Sequence, residues 1–245
     1  MRRISLNIFT IYRLLWSFCS NKNLPIHIGN AAHIKWSFGI ARDKNDTIDS
    51  ILLCQYAFKE CDSLRATPAL NAVLMQLKDM MTARTKLLSQ FNSIKTYIRE
   101  LKNVSDKTVQ NVLEKAHREA LEGMAVSIKN IEVQIKKILA ENEALKINYN
   151  LLVTVPGIGH LTATYIICCT NNFACKITGK QLACYAGVVP FEYTSGISVK
   201  GRNRVHQMAN KDLKKMLHLC ALTAIQNYPE FKTYYDRKKK KVNTA

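Results

Sequence analysis

The chain has 245 residues, 47% of them hydrophobic, and its 36 Lys and Arg residues outnumber 18 Asp and Glu residues, for a formal net charge of +18. This length can hold one large domain or two modest ones, each with its own core. The positive charge indicates a polyanionic partner, nucleic acid first and an anionic membrane surface second. No run of residues is apolar over the length of a helical membrane span, so we expect no transmembrane helix in this sequence.

The eight cysteines and the N-terminal residues bear on the cellular compartment. The cysteines form no C-x-x-C pair, which excludes zinc-ribbon and thioredoxin-type motifs, and Cys168 and Cys169 lie in an apolar run. Residues 1–19 superficially resemble a signal sequence, but Arg13 interrupts their apolar stretch and no small-residue cleavage site follows. We therefore expect a cytoplasmic protein with reduced cysteines and no membrane partner.

The first segment, residues 1–62, mixes helix and strand signals. The pattern predicts a helix at 8–19, a strand at 24–28 and a helix at 46–59. This order suits an α/β domain, but such a domain needs more than one strand. We expect this segment to be an incomplete part of an α/β domain.

The second segment, residues 63–147, is predicted to be helical, with a break at 103–106. Apolar residues recur at alternating spacings of three and four, which is typical of a heptad seam. They are Leu70, Leu74, Leu77, Met81, Leu88, Phe91, Ile98 and Leu101 in the first helix and Met124, Ile128, Ile131, Ile135 and Ile138 in the second. An antiparallel hairpin within the chain and a coiled-coil arm that joins two chains both explain this periodicity.

The third segment, residues 148–235, is predicted to be a compact helical domain. It opens with Pro-Gly-Ile-Gly at 156–159, directly before a helix at 160–169. Gly157 and Gly159 would leave backbone N–H groups free at the helix N-terminus, where a phosphate can bind, as in helix-hairpin-helix DNA-binding elements. A tight turn that merely starts the helix explains the pattern equally well.

Two further helices are predicted at 180–185 and 210–226. The second has Lys211, Lys214 and Lys215 near its start, although the helix dipole favours cations at the other end. A partner phosphate explains this placement better than helix stability does. After this helix, residues 236–245 contain an Arg-Lys-Lys-Lys-Lys run that predicts a disordered basic tail.

Ser195 lies in a predicted turn, followed by Gly196 and then by Lys200, Arg202 and Arg204. Glycine lets a backbone approach a ligand closely, and the basic residues would neutralise phosphate charge and position a strand. These are the requirements of a hydroxyl that attacks or holds a phosphodiester. Taken alone, an ordinary polar turn beside a solvated basic surface explains the same residues.

The order of these motifs resembles one transposase family. Over residues 150–235 the chain has P-G-I-G, then Q-L-A-x-Y-A-G-V-V-P, S-G, K-G-R and N-K-x-L-K-x-x-L-x-x-x-A, as in the C-terminal domain of the DEDD-type insertion-sequence transposases. Those enzymes move DNA with a structured bridge RNA as guide. The resemblance implies that Ser195 is a nucleophile that joins covalently to DNA, and that DNA choice is delegated to the RNA.

Residues 30–35 and 44–49 resemble, more weakly, the end of the RNase H-type or resolvase-like metal domain of the same family. The resemblance places Asp46 and Asp49 at the family's last two acidic positions and implies a Mg²⁺ site. On a helix, residues three apart share a face, so both carboxylates can address one ion. The alternative is that Asp46 caps the helix and Asp49 is only surface charge.

The family's first Asp and its Glu have no counterpart in the chain, and Asn7 occupies the place expected for the Glu. An amide is a poor substitute for a carboxylate beside a divalent cation. We therefore expect either an N-terminally shortened or decayed copy, or a true start further upstream.

We expect a mainly α fold with an RNase H-like α/β remnant at 1–62, a helical arm at 63–147, a transposase domain at 148–235 and a basic tail. The expected function is a DNA transposase or recombinase that uses Ser195 and Mg²⁺, partnered by DNA, a structured guide RNA and other copies of itself in a dimer or tetramer. The alternative is a catalytically dead remnant that only binds DNA or structured RNA. A basic coiled-coil scaffold explains the charge and the heptads but not the residues around Ser195.

Overall fold

A computed structural model of the chain describes residues 8–29, 31–38, 45–69, 71–101, 106–174, 177–195, 199–205 and 209–243. The chain divides into two compact units, Met1–Asn71 and Ala72–Ala245. Helices dominate both units, which confirms the mainly α fold class. Within the described residues, no helix is both long and apolar enough to cross a membrane.

The first unit contains the helices α1 (Ile8–Asn21), α2 (Ala31–Trp36) and α3 (Asp46–Lys59). The bounds predicted for the third helix are those observed, and its N-cap is Asn45, whose side chain accepts a hydrogen bond from the Ile48 N–H. Asp46 therefore does not cap this helix.

The strand predicted at 24–28 is wrong, because residues 24–29 have no regular secondary structure. They contact residues 65–67 instead. The Thr67 N–H donates to the Ile26 carbonyl at 2.7 Å, and the Ile28 N–H donates to the Thr67 hydroxyl at 2.9 Å. A strand needs a continuous backbone ladder with a neighbour, and here one of the two bonds goes to a side chain.

The second unit begins with the long helices α4 (Ala72–Leu101) and α5 (Lys107–Glu141). They run antiparallel, because Arg84 contacts Glu132, whereas Tyr97, later in α4, contacts His117, earlier in α5. The predicted arm is therefore a hairpin within one chain. The Arg84 Nε donates to the Glu132 carboxylate at 2.7 Å, with the two side chains 14% and 33% exposed.

The compact part of this unit comprises α6 (Glu143–Val153), α7 (His160–Cys169), α8 (Gly179–Tyr185), the strands β1 (Phe191–Ser195) and β2 (Val199–Arg204), α9 (Lys211–Asn227) and α10 (Pro229–Asn243). The core joins the hairpin to α6 and α7 through Leu74, Leu77, Met81, Ile135, Leu139, Leu145, Ile167 and Cys168. The base of the arm is thus held inside the domain, whereas most of the predicted seam residues further along it are only half-buried.

Two features of this part differ from the predictions. Residues 191–195 and 199–204 form an antiparallel pair of strands in place of a simple turn, and the basic run is helical through Asn243 in place of a disordered tail. Pro229 is the first residue of α10, a position where its fixed φ favours a helix and its missing N–H costs nothing.

Candidate nucleic-acid interface

Asn210 is the centre of a polar cluster between α7, α8 and α9. Its side-chain oxygen accepts from the Leu213 N–H at 2.9 Å and from the Tyr165 hydroxyl at 3.2 Å. Its Nδ2 donates to the Tyr185 hydroxyl at 3.0 Å and to the Cys169 Sγ at 3.7 Å. Asn210 therefore caps α9 and at the same time ties this helix to the two others.

Burial keeps the cluster neutral. It raises the pKa of Tyr165 to about 12 and also raises the pKa values of Tyr185 and Cys169. These phenols and this thiol therefore stay protonated to a higher pH than usual, and in that form they are poor bases and nucleophiles. The cluster positions α9 relative to α8, and it holds no charge that would repel a phosphate.

Gly187 sets the path of the chain from α8 towards β1. Its φ is +67°, a left-handed conformation that glycine adopts without cost, and a Cβ added here would collide with the Ala209 methyl group and with Val205. The segment after α8 therefore packs directly against the residues that precede α9. This contact places the predicted Gly-Val-Val-Pro motif beside the lysine-bearing start of α9.

Ser195 is the last residue of β1 and pairs with Val199 of β2. Lys200 pairs with Thr194 in the same ladder, and the side chains of these residues lie outside the described set, as does Gly196 entirely. Arg202 and Arg204 are exposed on β2. The structure therefore brings the serine and the basic residues onto one two-stranded ribbon.

A groove of about 820 Å³ lies between the Gly187 segment and α9. It unites the three lysines predicted to contact phosphate with a short apolar wall, and its lining is Gly187, Val188, Pro190, Val205, Lys211, Lys214, Lys215, Leu217, His218 and Ala221. All three lysines are exposed, and Asp212 is the acidic residue in the first turn of α9. A cationic groove of this composition can hold a phosphate backbone.

The Pro-Gly-Ile-Gly turn lies at the start of α7, with Gly159 as the N-cap. Gly157 has a φ of +84°, and a Cβ there would overlap the carbonyl oxygen of Cys220, so this glycine is required by close packing against α9. Gly159 has no heavy atom within 4 Å of an added Cβ, which leaves open space beside the helix N-terminus. The first glycine shapes the backbone, and the second leaves room for a ligand.

A cavity of about 390 Å³ adjoins this turn and is lined in part by Tyr149, His160, Thr162 and Thr223. The Tyr149 hydroxyl is hydrogen-bonded to the His160 Nδ1, and their rings stack with centroids 5.9 Å apart. Lys136 also lines the cavity. Sequence reasoning missed this pair because the two residues come from different helices.

Asp46 and Asp49 are both exposed in the first turn of α3, in the first unit. Within the described residues, no group of three or more His, Cys, Asp and Glu side chains is placed to hold a metal ion. Two carboxylates on one face still suit Mg²⁺, which is commonly bound by one or two carboxylates together with water and substrate phosphates.

Residues 149–236 match the family model described as the transposase IS116/IS110/IS902 family. The chain is similar to the pilin gene-inverting proteins of Moraxella lacunata and Moraxella bovis, with 27% identity over 214 residues in each case. These alignments cover 85% of the chain but only 62% of each relative. An insertion element IS110 uncharacterized 43.6 kDa protein of Streptomyces coelicolor is 29% identical over 114 residues, 46% of the chain and 27% of that protein. Over residues 149–236 the chain is therefore similar to an IS116/IS110/IS902-type transposase domain.

Proposed function

We propose that the protein is a DNA transposase or recombinase in which Ser195 is the nucleophile. The observation that carries this proposal is the lysine groove, which lies beside the segment leading directly into the strand that ends at Ser195. From Pro190, which lines the groove, to Ser195 the extended chain spans about 17 Å. That distance corresponds to about five base steps of duplex DNA. The lysines would therefore hold phosphates that flank the one attacked.

In the proposed reaction, the Ser195 Oγ attacks a phosphorus atom of the DNA backbone and the bond from that phosphorus to its leaving oxygen breaks. The serine proton ends on the leaving hydroxyl, directly or through water, and a phosphoserine link remains. A hydroxyl of the second strand then attacks this link, joins the strands and restores the serine. Lys200, Arg202 and Arg204 stabilise the negative charge that develops on the phosphoryl oxygens.

Asp46 and Asp49 are the residues that would hold Mg²⁺, and the ion would supply charge neutralisation at a phosphate. The relatives agree with DNA rearrangement in general, because one kind is named for inverting a pilin gene and the other for an insertion element. We extend the proposal to a structured guide RNA and to a dimer or tetramer, since strand exchange needs more than one active site.

A covalent adduct assay tests the nucleophile. The purified chain is incubated in Mg²⁺ with end-labelled DNA that spans the sequences flanking its own gene, and protein-linked label is measured after denaturing electrophoresis. We expect an adduct with the wild type and none with Ser195→Ala, which should retain DNA binding.

Thr194→Ala is the matched control, because it removes the neighbouring hydroxyl from the same strand and should leave the adduct intact. An adduct that persists in Ser195→Ala would assign the nucleophile to another residue. Tight DNA or RNA binding by the wild type, with no adduct under any condition, would identify a binding protein without catalysis. Asp46→Asn and Asp49→Asn should each lower the yield of adduct if these carboxylates hold Mg²⁺.

A further inference from the structure

The helix α10 presents an exposed row of aromatic side chains. Tyr228 precedes it, and Phe231, Tyr234 and Tyr235 follow within its first two turns, with exposed fractions of 43%, 43%, 54% and 46% respectively. Burial of an aromatic ring is energetically favourable, so four large exposed rings close together indicate a surface that binds a partner. The packing of α10 against α9 leaves these rings accessible.

The aromatic residues share a face with cations. Phe231, Tyr234 and Lys238 are spaced at three and four residues, so they line one side of the helix over two turns. The Lys238 Nζ lies 5.7 Å from the centre of the Tyr234 ring, and the Arg237 guanidinium lies 5.3 Å from it. Rings and positive charges therefore alternate along one surface.

We propose that this surface of α10 binds single-stranded nucleic acid, with Phe231, Tyr234 and Tyr235 stacking on unpaired bases and the exposed residues Lys238–Lys240 contacting phosphates. Each base has a face that can stack on an aromatic ring, so this mode of binding tolerates any sequence and prefers unpaired strands. The inference does not depend on Ser195 being a nucleophile, although strand exchange would produce such strands.

Charge complementarity selects this occupant. The residues of α10 include six Lys and Arg against two Asp and Glu, so the same face of a second copy would be repelled. A membrane-surface helix usually carries several Trp, Phe or Leu residues on its apolar face, and of these α10 contains only Phe231. Its apolar surface consists almost entirely of Phe and Tyr rings, which suit bases better than lipid chains.

The test compares two probes of equal length, oligo(dT) of about 15 nucleotides and a blunt duplex, by fluorescence anisotropy with the full chain. The variant Phe231→Leu/Tyr234→Leu/Tyr235→Leu keeps an apolar face but removes every stacking ring. We expect the Kd for oligo(dT) to rise by about tenfold per ring lost and the Kd for the duplex to stay unchanged. Both measurements are repeated with Lys211, Lys214 and Lys215 changed to Gln, so that groove binding does not mask the effect.

Lys238→Gln/Lys239→Gln is the matched charge control. This variant should raise the Kd for both probes by a similar factor, and it should make the Kd less dependent on salt concentration. The proposal would be overturned if the leucine variant lost affinity for oligo(dT) and for the duplex equally, or if it lost no affinity for oligo(dT). Binding to phosphatidylserine vesicles that survives in the leucine variant, with oligo(dT) affinity unchanged, would overturn it in favour of a membrane surface.

Discussion

Asn210 is hydrogen-bonded twice to Tyr185, through its backbone N–H to the Tyr185 carbonyl at 2.8 Å and through its Nδ2 to the Tyr185 hydroxyl at 3.0 Å. The two residues belong to separate motifs, one at the end of α8 and one at the N-cap of α9. Their contact closes the chain around the residues between them, which include both strands and Ser195. The start of α9, where the groove lysines lie, is thereby fixed against the segment that leads to the proposed nucleophile.

Replacing Asn210 tests this junction. Asn210→Ala removes the α9 cap and the acceptor of the Tyr165 hydroxyl, so we expect the free energy of unfolding to fall by about 2–3 kcal/mol. Asn210→Asp keeps the cap oxygen and loses the amide donor, and the helix N-terminus favours the negative charge that it introduces, so its cost should be below about 1 kcal/mol. Urea unfolding followed by circular dichroism measures both.

The control for this prediction is Asn142→Ala. Asn142 also caps a helix, by accepting from the Leu145 N–H at 3.2 Å, and within the described residues its side chain makes no other hydrogen bond. Asn142→Ala should lower the free energy of unfolding by about 1 kcal/mol. A cost for Asn210→Ala no greater than that of Asn142→Ala would show that the Tyr165 and Tyr185 bonds add no stability.

The two glycines of the Pro-Gly-Ile-Gly turn should respond differently to alanine. Gly157→Ala forces a side chain into a left-handed backbone and against the Cys220 carbonyl, and we expect a loss of at least about 2 kcal/mol. Gly159→Ala meets open space at a φ of −86°, so its cost should stay below about 1 kcal/mol. Thermal unfolding of the two variants checks this order, which equal losses would contradict.

The groove lysines should act through phosphate charge. Lys211→Gln/Lys214→Gln/Lys215→Gln should weaken duplex binding and lower the slope of log K against log salt by up to about 2.7, since each lost phosphate contact contributes about 0.9. The matched control is Lys107→Gln/Lys115→Gln/Lys129→Gln, which removes three exposed lysines from α5. Equal changes in slope for the two variants would show that binding follows net charge and not the groove.

The buried Cys168 thiol should make stability depend on alkaline pH. Burial raises its pKa from an ordinary value of 9.0 to about 12. The folded state then holds a proton that the unfolded state has lost, so the stabilisation is complete below pH 9 and is lost as the pH rises towards 12, at about 1.4 kcal/mol per pH unit. Cys168→Ala should be less stable at neutral pH because of the cavity it creates, and its stability should fall less steeply above pH 9. Parallel slopes for the two proteins in urea unfolding would contradict this assignment.

The helices that could be predicted well are those whose ends carry local signals. The observed α3 and α7 have the predicted bounds, because Asn45 caps the first and the Pro-Gly-Ile-Gly turn precedes the second. The transposase motifs also lie in the sequence itself, and the family match at 149–236 agrees with them. The basic run was misjudged because charge alone predicts disorder, whereas Pro229 and the spaced aromatic residues favour a helix.

Strands were predicted less well than helices, as the wrong strand at 24–28 and the unpredicted pair β1–β2 show. A strand exists only if another segment supplies hydrogen bonds to its backbone. Short, charged segments such as β1 and β2 have too little alternation of apolar and polar residues for a strand to be predicted from sequence. The roles of Ser195 as nucleophile and of Asp46 and Asp49 as Mg²⁺ ligands stay predictions.

The helical character, the basic charge and the order of the motifs that resemble a transposase domain follow from the amino-acid sequence, because they depend on residues that are near neighbours in the chain. The tertiary structure was needed to show that the arm is an intrachain hairpin and that Asn210 joins Tyr165 to Tyr185 across 45 and 25 residues of sequence. It also decided that the three lysines share a groove with the Gly-Val-Val-Pro segment. These contacts depend on close packing between distant segments, which no local pattern encodes.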